Sequence, residues 1–103
     1  MSARVQTIAE RIEDVIRLEL SEEMGPNAQL IAAFTAVRCT PYEVTVQYSG
    51  GLMQRCWQVT RSDGDCAVVY MSRAGYFALC VTSAVGLLDI GVHGPVLGCF
   101  GSV

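Results

Sequence analysis

Apolar residues recur at helical spacing over the first twenty positions, at Val5, Ile8, Ile12, Val15, Ile16 and Leu20. One-sided periodicity of this kind predicts an amphipathic helix lying on something else. Ser2 is placed to cap its start, Glu13 and Arg17 form an i,i+4 pair in the favourable orientation, and Gly25-Pro26 is a stop signal. Residues 27–39 read two ways. Ala28, Leu30, Phe34 and Val37 suit a second short helix capped by Asn27, and they also suit a buried strand running into the Thr40-Pro41 corner. From Tyr42 the period changes to two. Tyr42–Tyr48, Leu52–Arg61, Cys66–Met71 and Tyr76–Thr82 predict a meander of antiparallel strands. The glycine-rich remainder predicts two further irregular strands about a turn at His93-Gly94-Pro95.

The turns decide which side chains share a face. Gly50-Gly51, Asp63-Gly64 and the Ser72–Gly75 corner suit hairpins, and an even-length hairpin carries side-chain parity from one strand to the next. With every turn even, Val46 faces Arg55 and Val44 faces Trp57, while Trp57 faces Tyr70. One dry face then holds Tyr42, Val44, Val46 and Tyr48 beside Met53, Arg55, Trp57 and Val59. It continues through Cys66, Val68 and Tyr70 to Phe77, Leu79 and Val81. The opposite face of the first two strands reads as wet: Glu43, Thr45, Gln47, Gln54, Cys56, Gln58 and Thr60. Four strands span roughly 19 Å, whereas one helix with its side chains covers about 10–12 Å. The N-terminal helix alone leaves part of such a face for a second helix, a partner or a ligand. Arg55 in a dry setting requires an anion. The ligand-binding candidates are therefore Arg55 as anchor and Tyr48, Trp57 and Tyr70 as aromatic walls, with Asp89 and His93 beside them.

Composition narrows the partners. The chain has 103 residues, 51% hydrophobic and 17% charged, which predicts one ordered domain greasier than average. Its net charge of -3 arises in the N-terminal helix, and its seven cations are all arginine with no basic stripe, so a nucleic-acid partner is not expected. No apolar run reaches the ~20 residues of a membrane helix, and the charged N-terminal segment is unlike a signal peptide, so no membrane partner and a cytoplasmic location are expected. Five widely spaced cysteines without a C-x-x-C pair imply reduced thiols, with neither a zinc site nor any other cofactor. Asp63-Gly64-Asp65 is hairpin chemistry and lacks the further ligands of a calcium loop. The apolar, nearly uncharged C-terminal third predicts a homodimer interface.

Chemistry is sparse. His93, the one histidine, follows Asp89 by four residues, and such a pair can orient an imidazole for general-base work with Cys80 or Cys99 as nucleophile. No established catalytic signature accompanies it. The sequence thus predicts a single α+β domain, 1–103. An N-terminal amphipathic helix, joined by a second short one if 27–39 is helical, packs on a curved antiparallel meander of five to six strands. The leading function is a non-catalytic, dimeric binding protein for a small amphipathic or anionic ligand. The alternatives are an interaction module without a pocket and a small enzyme using Asp89 and His93.

Overall fold

The computed structural model describes residues 5–23, 25–48, 51–62, 64–84 and 86–102. Ser2, Gly50 and Asp63, named above for a cap and two turns, lie outside the described residues.

Helix α1 spans Ile8–Glu22 and starts at Thr7, through a capping box. The Glu10 backbone N–H donates to Thr7 Oγ1 at 3.1 Å, and the Thr7 N–H donates to Glu10 Oε1 at 2.9 Å. Arg17 pairs with Asp14 at 2.8 Å and not with Glu13. Glu13 instead accepts from Arg38, which ties α1 to the first strand. Residues Ala28–Val37 form helix α2, so the helical reading of this segment holds. Asn27 stands at its N-cap position without a side-chain capping bond and donates to Glu23 instead.

Five strands follow: β1 Arg38–Gln47, β2 Met53–Thr60, β3 Cys66–Met71, β4 Tyr76–Ser83 and β5 Gly86–Gly94. They pair antiparallel in chain order. A short parallel contact, Val46 with Leu87 and Gln47 with Leu88, closes the sheet into a barrel. The sixth strand expected after His93 is instead a short helix, α3, over Val96–Phe100. Pro95 precedes it with φ -61°, already suited to a helix start, and the Val96 N–H donates to Glu19 Oε1 of α1 at 2.7 Å. The fold is α+β, with the N-terminal helix packed on a five-stranded antiparallel sheet.

Two registers follow the even-turn expectation. Trp57 faces Tyr70, and Cys66, Val68 and Tyr70 face Val81, Leu79 and Phe77. The β1–β2 register does not. Val46 faces Gln54 and Val44 faces Cys56, because an odd number of residues, 48–52, joins the strands. A one-residue offset inverts a whole strand. Tyr42, Val44, Val46 and Tyr48 therefore share a face with Cys56 and Gln58, and stand opposite Arg55 and Trp57.

The single dry face thus becomes two cores. The inner one lies within the barrel and draws on every strand: Val46, Cys56, Val69 with Met71, Ala78 with Cys80, and half-buried Leu87. Its side chains are mostly small, as the narrow interior of a five-stranded barrel requires. The outer core joins Val59, Val68, Phe77 and Leu79 to Ile12 and Ile16 of α1, Phe34 of α2 and Val96, Leu97 and Cys99 of α3. The supposedly wet residues Cys56, Gln58 and Thr60 are buried. Gln58 Nε2 donates to the Thr60 carbonyl at 2.7 Å, and Thr60 Oγ1 accepts from the Val68 N–H at 3.0 Å. Polar groups so bonded cost little to bury.

Candidate functional site

The six candidate residues fall on two sides of the sheet. Arg55, Trp57 and Tyr70 belong to the outer side, whereas Tyr48, Asp89 and His93 belong to the inner one.

On the outer side, α1 covers only part of β2 and β3. Between its first turns and the strands is a hollow of about 220 Å³, lined by Ile8, Arg11, Ile12, Val15, Tyr70 and Ser72. Ile8 and Ser72 also border a second hollow of about 480 Å³, walled by Met53, Trp57, Glu43, Arg55 and Arg73. The two share the walls of Ile8 and Ser72 and are taken together as a groove. Tyr70 is held by Phe77, with ring centroids 4.9 Å apart, and Trp57 is half-buried. Ile8 and Met53 leave 45% and 56% of their surface in solvent, and so give the groove an open apolar rim.

Arg55 is not the desolvated cation that even turns implied. Its side chain is 78% exposed. The closest carboxylate oxygen, on Glu43, lies 3.8 Å away, a weak surface pairing. Burial therefore demands no partner of Arg55. The guanidinium remains available at the groove mouth together with exposed Arg73. Ile8, Met53 and Arg73 complete this surface and were not among the candidates. Arg73 stands in a turn, and Ile8 reads as part of the buried stripe.

On the inner side a bulge organises the chemistry. Between the pairs Leu79–Val92 and Cys80–Asp89, β5 carries two extra residues, Ile90 and Gly91. Gly91 has φ 84°, in the left-handed region that glycine enters without a steric cost. In a straight strand, residues four apart stand about 13 Å from each other. The bulge folds that distance so that His93 Nε2 lies 3.0 Å and 2.9 Å from the two Asp89 oxygens. The Gly91 N–H also donates to Asp89 Oδ1 at 3.0 Å, and the Tyr76 ring stacks on His93 at 4.9 Å and 14°. The carboxylate is buried, its side chain only 7% exposed.

The thiols nearby are not activated. Burial pushes Cys80 up to about 12, helped by the negative charge of Asp89, and pushes Cys99 up to about 11, helped by Glu19. A nucleophilic cysteine needs the opposite shift, so the pairing of His93 with Cys80 or Cys99 as nucleophile is not supported. Tyr48 caps the inner core. Its hydroxyl donates to Met71 Sδ at 3.2 Å and lies 3.8 Å from Cys56 Sγ, and burial raises its pKa strongly. It is no wall of the outer groove.

A further hollow of about 500 Å³ lies at the other end of α1, among Glu19, Glu22, Glu23, Asn27, Leu30 and Leu97. Among the described residues, no three His, Cys, Asp or Glu side chains gather as a metal site, and no helix is long and apolar enough to cross a membrane. No protein-family model, curated protein or solved structure matches the chain.

Proposed function

We propose that this chain is a non-catalytic binding domain whose ligand is a small amphipathic anion held in the groove between α1 and strands β2–β3. The observation that carries the reading is the groove's composition. An aromatic floor of Trp57 and Tyr70 with an apolar rim of Ile8 and Met53 ends at two exposed guanidiniums, Arg55 and Arg73, with Glu43 weakly paired to Arg55. Ligand sites combine apolar lining with a few orienting polar groups, and a guanidinium fork matches a carboxylate or sulfonate in a bidentate manner. The anionic head rests on Arg55 and Arg73, and the apolar body runs along Trp57 towards Ile8 and Tyr70. An open groove of this kind gives a Kd on the order of 10–100 μM, after association costs are offset.

Trp57 is the one tryptophan and half-buried in the groove, so its fluorescence reports occupancy directly. Titration with decanoate below its micelle threshold is expected to give a saturable change, with neutral decanol far weaker. Arg55→Ala combined with Arg73→Ala is expected to weaken decanoate binding roughly tenfold or more, from the loss of charge-assisted hydrogen bonds. A flat titration, or equal binding of decanol and decanoate, would overturn the reading.

A further inference from the structure

At the C-terminal end, where a homodimer interface was expected, part of the apolar surface is taken up within the chain. Val96, Leu97 and Cys99 are buried in α3 against the chain's own sheet. One exposed apolar surface lies on α1. Ile8, Arg11, Val15, Leu18 and Glu22 follow each other at alternating steps of three and four, and so form one stripe along the flank of the helix. The core side is centred on Ile12 and Ile16, and the stripe borders it: Val15 is half-buried against the core, and Ile8, Arg11 and Val15 line the hollow between α1 and the sheet. Leu18, in the middle of the stripe, is 61% exposed, and Ile8 is 45% exposed. Neither Arg11 nor Glu22 has a side-chain partner among the described residues.

From these observations we infer that α1 is the interface of a two-fold homodimer, in which two copies of the helix pack antiparallel along this stripe. The stripe is self-complementary in that orientation alone. About its midpoint, Val15 falls opposite Leu18 of the partner subunit and Arg11 falls opposite Glu22 of the partner subunit. Two-fold symmetry repeats both contacts, as an isologous interface requires. In a parallel pairing Arg11 would face its own copy and Glu22 its own, like charge against like. The antiparallel arrangement also sets each helix's positive end beside the other's negative end.

The helix has 15 residues and is about 22 Å long. A single helix pair of that length falls short of the roughly 800 Å² per partner that typifies stable interfaces. The dimer is therefore reversible, and its ion pairs make it sensitive to salt.

The test is sedimentation velocity of the full chain from low micromolar to near-millimolar concentration. A monomer–dimer equilibrium that weakens with added salt is expected. Leu18→Arg is expected to raise the dissociation constant about tenfold or more. Arg11→Glu and Glu22→Arg each weaken association, and the double exchange restores it towards the original value. A monomer at every concentration overturns the inference. So does a dimer untouched by Leu18→Arg, or a double exchange as weak as either single one. These side chains are exposed or on the flank, and circular dichroism melting confirms that each variant is folded. The Arg11–Glu22 exchange carries the test alone should Leu18→Arg fail to fold. Ile8, Arg11 and Val15 also line the proposed ligand groove, so dimer and ligand compete for it; sedimentation without decanoate reads mass alone, which keeps the failure of one reading distinct from the failure of the other.

Discussion

The two sides of this sheet solve opposite problems. The inner side is closed: five strands wrap a thin file of alanine, cysteine and valine, and the polar side chains of Gln58 and Thr60 bond within it. The outer side is half-finished. Three helices seal Phe77, Leu79 and Val68, yet Trp57 and Tyr70 keep one edge open in a groove. Side chains from all five strands fill the barrel interior, and the hollows beside Trp57 and Tyr70 lie on the side that the helices cover only in part.

Mutations can break that contrast. The largest loss is expected from Phe77→Ala. This ring has no exposed surface and supports Tyr70, so its removal should lower stability by about 3–5 kcal/mol, seen as a fall in the urea midpoint. Next comes the interior. Ala78→Leu adds volume to a file with none to spare, and overpacking should cost about 1–3 kcal/mol. The same experiment on Met53, at the open rim, sharpens the comparison, because Met53→Ala should change the midpoint by no more than about 0.5 kcal/mol.

Titration probes the same interior without a substitution. The folded Cys80 thiol has its pKa raised from 9.0 to about 12, chiefly by burial. A raised folded pKa means that the native state holds a proton the unfolded chain has lost, so stability falls as pH rises through that window. The urea midpoint should decline between about pH 9 and 12, and Cys80→Ala should flatten the slope. An unchanged slope in Cys80→Ala would show that this thiol does not contribute.

Much of the architecture was legible because local signals agreed. The stripe of Ile12 and Ile16 announced α1, and the Asp63-Gly64 and Ser72–Gly75 turns led to the correct pairing of Trp57 with Tyr70 and to one face shared by Tyr70 and Phe77. The misplacement of Tyr48 and Val46 came from one connection. Turn residues alone do not reveal that the loop from Gln47 to Met53 has odd parity, and that single unit moved an entire strand from the outer side to the inner. Helix α3 was hidden by its brevity: one turn and a half shows no period, and its glycine-rich surroundings read as irregular strand. Arg55 was legible as sharing a face with Trp57, but its exposure was not. How far α1 reaches along β2 is a tertiary fact. Asp89 and His93 were paired correctly by proximity in sequence, and the bulge that joins them was foreshadowed by Gly91.

The closure between β1 and β5 carries a kinetic consequence. It rests on two residue pairs, Val46 with Leu87 and Gln47 with Leu88, joining segments far apart in the chain. The four antiparallel pairings join neighbours in sequence, so their loops close cheaply and early, whereas this seam waits for the rest of the sheet. A contact formed last and held by few hydrogen bonds is also the first to open. Amide exchange should thus be quickest along the seam, which makes it the entrance through which water, and any reagent for Cys56 and Cys80, reaches the middle of the molecule.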